Sequence, residues 1–312
     1  MRPHLPPTLA KSLIGGLVVT AALLGTSCSA APENGGGGKI VAIGAENEYA
    51  NVLQQVGGKF VSVTAILSNP NTDPHTFEAS PDVARLVSEA SLVIQNGIGY
   101  DTFMNKIEDA SPNSHRRVID VQTLLHLPND TRNPHLWYKP DTMPAVARAI
   151  ATDLSDLAPS HRSYFRSRAV TFISSLSGWY TAIKNLKAEF PGAPVATTEP
   201  VGDYMLQAIG LKNLTTWALQ ADIMNGVDPS PQAVTFQLDL FSQHKVKAFI
   251  YNQQVVDSLT ESFLTAAKAH GIPVVGVYET MPTPGYDYQS WMRAEVNALR
   301  KALADHISTQ RL

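Results

Sequence analysis

Two histidines follow proline in short polar segments: His75 in Asn71-Thr-Asp-Pro-His-Thr-Phe-Glu78 and His135 in Asn133-Pro-His-Leu-Trp-Tyr138. Imidazole suits late first-row divalent metals, and a preceding proline restricts the backbone so that the ring can be held in one orientation. Two carboxylates complement them. Glu199 ends Pro194-Val-Ala-Thr-Thr-Glu199, and Glu279 ends Val274-Val-Gly-Val-Tyr-Glu279. A carboxylate at the end of an apolar strand is partly desolvated unless a positive group meets it. Taken singly, each residue has a plain structural explanation: a histidine satisfied by its loop, or a carboxylate capped by backbone N–H groups. Taken together, two loop histidines and two strand-end carboxylates make one divalent cation the simpler common partner. Of the other histidines, His4 lies in the N-terminal segment, and His161, His244, His270 and His306 lie at or near helix ends. His115 and His126 sit in polar or turn-like surroundings. A solvated imidazole needs no further account in any of those places.

The elements that must position these four residues follow from hydrophobic periodicity. Ile40–Ile43, Val61–Leu67, Leu92–Gln95 and Val118–Val121 are short β-branched runs that predict buried parallel strands, with helices over Pro81–Glu89 and Thr102–Asp109 between them. The second half repeats the rhythm. Strands are expected at Pro194–Thr198, Ala248–Tyr251 and Pro273–Tyr278, and helices at Tyr204–Ile209, Pro231–His244, Leu259–His270 and Ser290–Ile307. This alternation predicts an α/β protein of two α/β lobes with parallel sheets. All four candidate ligands then fall on strand-to-helix loops, where α/β sheets place ligands.

Between the two halves, Ser160 to Phe190 contains no proline and a single glycine, Gly178. Phe172, Leu176, Trp179, Ile183 and Leu186 form one apolar stripe at helical spacing. Ser160 after Pro159 is a fitting N-cap, and Pro191-Gly192 a fitting stop. Some thirty residues at about 1.5 Å each would span roughly 45 Å. The stripe fits either a long surface helix or a rod joining two lobes.

The N-terminus has a different character. Arg2, His4 and Lys11 precede the apolar run Leu13–Leu24, which ends in Gly25-Thr26-Ser27 and meets the single cysteine, Cys28. A basic start, a short apolar core and small residues at the junction are the layout of an export signal. One cysteine cannot form an internal disulfide. Its place resembles the lipid-attachment cysteine of bacterial lipoproteins, with Leu24 one step further back than usual. The glycine-rich stretch that follows, to Gly38, reads as a flexible tether. Beyond it no run approaches the roughly 20 apolar residues of a membrane span. With 312 residues, 16% of them charged, and a net charge of −3, the chain has no basic footprint for nucleic acid. The expected division is a signal over 1–27, a lipid-anchored tether over 28–38, lobes over 39–158 and 191–312, and a linking helix over 159–190.

These residues, in this order, resemble the TroA-like family of zinc- and manganese-binding receptors of bacterial ABC importers. Asp73-Pro-His-Thr-Phe-Glu78 matches that family's Asp-Pro-His-x-Tyr/Phe-Glu motif, and Asn133-Pro-His-Leu-Trp137 matches Asp-Pro-His-x-Trp except for Asn133. Glu199 corresponds to the His or Glu ending the first strand of the second lobe, and Glu279 to an acidic residue, normally Asp, ending a late strand. Asp228-Pro-Ser-Pro231 resembles the family's Pro-Ser-Pro segment before a helix. The resemblance implies two lobes joined by one long rigid helix, with a metal at the cleft between His75 and His135 on one side and Glu199 and Glu279 on the other. It also implies delivery to an ABC importer permease driven by a cytoplasmic ATPase.

The function expected is capture of one divalent transition-metal ion as cargo, by a monomer held outside the membrane by its lipid. Two imidazoles with two carboxylates form a harder donor set than three imidazoles, which leans toward Mn(II) or Fe(II). The general affinity order favours Zn(II). Glu279, longer than the usual Asp, can bind through one oxygen or two. Two other classes compete with this one. A secreted metal-dependent hydrolase needs an open coordination position beside a general base, and the chain has no His-Glu-x-x-His or Gly-x-Ser-x-Gly motif. A surface adhesion protein sharing the fold would draw support from repeats or aromatic arrays, and the sequence has neither.

Overall fold

The computed structural model describes residues 38–71, 74–282 and 284–312. Asp73, Cys28, the expected signal and all of the tether but Gly38 lie outside the described residues. Two parallel four-stranded sheets, each flanked by helices, organise the chain. The first contains β1 (Ile40–Glu46), β2 (Val61–Leu67), β3 (Leu92–Gln95) and β4 (Arg117–Asp120), in the order β2-β1-β3-β4. Its helices are α1 (Asn47–Gly57), α2 (Pro81–Glu89), α3 (Thr102–Ala110), α4 (Val121–Leu124) and α5 (Thr142–Leu157). The second contains β5 (Pro194–Thr197), β6 (Lys212–Asn213), β7 (Phe249–Asn252) and β8 (Val274–Val277), in the equivalent order β6-β5-β7-β8. Its helices are α8 (Asp203–Ile209), α9 (Trp217–Met224), α10 (Pro231–Ser242), α11 (Ser258–Ala269) and α12 (Tyr288–Asp305). Strand order reverses beside the first strand of each sheet, which opens a crevice at the carboxyl ends.

Local chemistry sets several of these boundaries. Ser80 and Ser230 cap α2 and α10 by accepting from Val83 N and Ala233 N, and each is followed by proline at the first helical position. The Asp228-Pro-Ser-Pro231 segment is therefore a helix start. Asp257 and Asp287 form reciprocal caps with Thr260 and Ser290 at α11 and α12. The strands β3, β7 and β8 are buried throughout because helices cover both faces. Gly276 has no side chain because the C-terminal segment crosses β8 there, with its N–H donating to Thr309 O at 2.9 Å.

The segment expected to form one linking helix is instead two helices, α6 (Arg162–Ser175) and α7 (Ser177–Glu189), which meet at Leu176. Leu176 keeps helical torsions, φ −72° and ψ −10°, but its N–H donates to Ile173 O, three residues back. The ladder tightens there by one residue, as helix ends do. The rod starts from a short 3-10 turn over Pro159–His161, and no side chain caps it, contrary to the role expected of Ser160. The predicted stripe of Phe172, Leu176, Trp179, Ile183 and Leu186 is buried. α6 packs on α5 and α1, and α7 packs on α12 and α8. One apolar core runs from Leu53 and Ile94 of the first sheet's layer through Trp179 to Trp291 and Leu299 of the second. Separate clusters cover the outer faces of the two sheets. Among the described residues no helix is long and apolar enough to cross a membrane.

Candidate metal centre

His75 sits in a 3-10 turn, Pro74–Thr76, on the loop after β2, and Phe77 N closes it on Pro74 O at 3.2 Å. The ring stands edge-on to Tyr100 and to His135, with centroids 5.2 and 6.1 Å away. Its Nε2 lies 3.0 Å from Glu279 Oε2, and its side chain is 20% exposed.

His135 is fully buried, and its orientation is determined by Asn133. The Asn133 Nδ2 donates across to Pro200 O at 2.7 Å, so Oδ1 is the acceptor end of that amide. That oxygen accepts His135 N–H at 3.0 Å and faces His135 Nδ1 at 2.8 Å. Nδ1 therefore carries a proton, and Nε2 points the other way, 3.4 Å from Glu279 Oε2. Burial pushes the His135 pKa down, although Glu279 pulls the other way. Two imidazole nitrogens thus converge on Glu279 Oε2, His75 Nε2 at 3.0 Å and His135 Nε2 at 3.4 Å, a donor set that suits a divalent cation. Asn133 departs from the family's Asp here, yet it keeps the acceptor role toward the imidazole. Its amide also makes a bond between the lobes, to Pro200 O, that a carboxylate could not donate.

Glu279 is fully buried on the turn after β8, where Gln254 Oε1 accepts from Glu279 N at 2.7 Å and Thr280 N at 2.9 Å. Its Oε2 also accepts from the Tyr100 hydroxyl at 3.0 Å. Burial alone would raise its pKa, but the neighbouring His75 and the bond to His135 more than reverse this and hold it well below the usual carboxylate range. Glu279 is an anion. Glu199, on the turn after β5, is 2% exposed. The Asn252 side-chain amide, at the end of β7, donates both to Glu199 Oε2 and to Glu279 Oε1, the latter at 2.7 Å.

The structure brings His75, His135 and Glu279 together, each offering a ligand atom within 4.8 Å of the others. Glu199 stands beside this triplet, joined to it through Asn252. Glu78, from the first histidine motif, is exposed on the following loop. A cleft of about 540 Å³ leads to the centre, lined among others by His75, Tyr100, Lys106, Asn225, Gln254 and Asp257. Two further carboxylates, Glu46 and Glu48, are fully buried at the carboxyl end of β1. Burial, reinforced by neighbouring acids, raises both well above the ordinary value. Tyr100, Asn252 and Gln254 escaped the sequence reading. Asn252 carried a usable signal, a polar residue ending an apolar strand, as Glu199 and Glu279 do. Tyr100 and Gln254 carried none, since each acts through a contact between distant segments.

Two parallel α/β lobes with a histidine–carboxylate cluster in the cleft between them define the class: a two-lobed metal-capturing receptor. The family described as ZnuA, zinc-uptake complex component A, periplasmic, matches residues 45–302, and the chain belongs to it. It is 20% identical over 307 residues to the manganese ABC transporter substrate-binding lipoprotein PsaA of Streptococcus pneumoniae, covering 92% of this chain and 97% of that one. The fold matches the periplasmic zinc binding protein TroA from Treponema pallidum with a TM-score of 0.71 at 17% identity, over 86% of this chain and 100% of the other. A manganese-bound periplasmic metal binding protein from Candidatus Liberibacter asiaticus gives 0.69 at 18% identity, over 85% and 100%.

Proposed function

We propose that His75, His135, Glu199 and Glu279 hold one divalent transition-metal ion as cargo, for delivery to the permease of an ABC importer. The observation that carries this reading is the convergence of His75 Nε2 and His135 Nε2 on one buried carboxylate oxygen, Glu279 Oε2, at 3.0 and 3.4 Å. A divalent cation can take all three groups as ligands at once. His75 borders the cleft and is the partly exposed member of the set, so an arriving ion meets it first. Asn252 keeps the two glutamates from repelling each other before the ion arrives. The shared apolar core and the jointed rod α6–α7 restrain wide opening, so capture proceeds by small loop and side-chain shifts.

In this reading the chain is a monomer without catalytic activity, tethered outside the membrane through a lipid on Cys28. Residues 39–158 and 191–312 form the lobes and 159–190 the link. Relatives are named for both manganese and zinc, and two imidazoles with two carboxylates suit Mn(II) better than a three-imidazole site would. Equilibrium dialysis against Mn(II) and Zn(II), with elemental analysis of the purified protein, tests the assignment. One tightly held equivalent is expected, lost in His75→Ala and in His135→Ala while the circular dichroism spectrum stays unchanged. A tightly held equivalent retained in both variants would overturn it.

A further inference from the structure

His244 and His270 lie 26 residues apart in sequence, yet their rings meet with centroids 6.2 Å apart and planes at 85°. Both are exposed. His244 follows α10 and His270 caps α11, so the last turns of two adjacent helices end at the same place. Their backbones are pinned there: His244 N–H donates to Phe241 O at 3.0 Å and His270 N–H to Ala266 O at 3.1 Å. Beneath them Leu240, Phe241, Phe263 and Ala267 belong to one buried cluster. The spacing of the two imidazoles is thus built into the packing of α10 on α11.

We propose that His244 and His270 form a second metal site, facing solvent and separate from the cleft, for an imidazole-preferring late first-row ion such as Cu(II), Ni(II) or Zn(II). With metal–nitrogen bonds of about 2.0–2.1 Å and a ring centre about 1.1 Å behind each nitrogen, two imidazoles sharing an ion stand no more than about 6.4 Å apart, and about 5 Å apart at a tetrahedral angle. The observed 6.2 Å lies within that reach. Exposed side chains close the remaining ångström by small torsions. The carbonyl ends of two helices add negative potential where the cation would sit. Lys245, next to His244, opposes it, which makes this the weaker of the two sites. The donor set also sets the choice of ion: two imidazoles without a carboxylate discriminate against Mn(II) and follow the rising affinity toward copper.

The two sites lie on opposite edges of one sheet. His244 and His270 precede β7 and β8, whereas Glu279 follows β8. A four-residue strand separates the edges by roughly 13 Å, so neither site can borrow the other's ligands. Titration of the full chain with Zn(II), and separately with Mn(II), tests the proposal by calorimetry. Zn(II) is expected to fill a tight and a weaker equivalent, and Mn(II) one equivalent only. His244→Ala and His270→Ala should each remove the weaker Zn(II) equivalent and leave the Mn(II) isotherm unchanged. His135→Ala should do the reverse, losing the tight equivalent and keeping the weak one. A Zn(II) stoichiometry unchanged in both surface variants would overturn the proposal, whatever happens at the cleft.

Discussion

Asn47 and Met281 bond to each other in both directions: Asn47 Nδ2 donates to Met281 O at 2.8 Å, and Met281 N–H donates to Asn47 Oδ1 at 2.8 Å. The side-chain amide imitates a strand partner across 234 residues, joining the first turn of α1 to the loop that carries Glu279. Both residues are buried, so no water takes over if the amide is removed. Asn47→Ala leaves a donor and an acceptor of the main chain unpaired, at a cost of about 1–3 kcal/mol each. A loss of roughly 2–6 kcal/mol in urea unfolding is expected. A change indistinguishable from zero would mean that this clamp does not hold the lobes together.

The same logic applies closer to the ion. Asn252 is the shared donor to Glu199 and Glu279, and its own Oδ1 accepts Gln254 N at 3.0 Å, which fixes the direction of the amide. Groups that orient metal ligands without touching the metal typically contribute 10–100-fold in affinity. Asn252→Ala is expected to weaken binding of the cleft ion by about that factor, with one equivalent still bound at saturation. Unaltered affinity in a competition titration against a chelator would show that the glutamates orient themselves.

Much of this arrangement was legible from residue types alone. The β-branched runs located seven strands to within a residue or two in most cases, because strands buried on both faces have few other compositions open to them. The pair β6, Lys212–Asn213, was missed, since two polar residues carry no periodicity. Helix α5 was passed over because Pro144 falls in its first turn and its small residues blur the stripe. His75 and His135 stood out by their local motif, and Glu199 and Glu279 by their place at apolar strand ends. Tyr100, Gln254 and Asn47 did not, because their roles exist only once segments far apart in sequence meet. The break at Leu176 was equally invisible, since the apolar stripe continues through it unchanged.

Between the lobes, Glu295 introduces a dependence on pH. It is fully buried, with Oε1 accepting from Trp291 Nε1 at 3.0 Å and from the Tyr138 hydroxyl at 3.2 Å. Burial pushes its pKa from 4.5 to about 8, although both hydrogen bonds pull it down. Between those values the folded chain keeps a proton that the unfolded chain has released. Stability contributed by the neutral carboxyl is therefore complete below about 4.5 and lost progressively as pH rises through about 8. Glu295→Gln has no proton to lose. Relative to the parent it should gain on the order of a few kcal/mol between pH 5 and pH 9. Parallel pH profiles from denaturant unfolding would refute this if the two curves kept a constant separation.

Finally, the ion and the fold are linked through the cleft. A ligand that binds only the folded chain stabilises it by about 2.7 kcal/mol at a hundred times its dissociation constant. For a chain of this size that is a rise of roughly 5–10 °C in melting temperature. The ligand roles make the response unequal among variants. Glu279 touches both imidazoles, at 3.0 Å and 3.4 Å, whereas Glu199 reaches the cluster through Asn252. Glu279→Ala and His135→Ala should abolish the Mn(II)-induced rise, and Glu199→Ala should reduce it while leaving a measurable shift at higher concentration. Differential scanning fluorimetry on chelator-treated protein distinguishes these outcomes. Equal residual shifts in the Glu279 and Glu199 variants would mean that the two carboxylates hold the ion on equal terms.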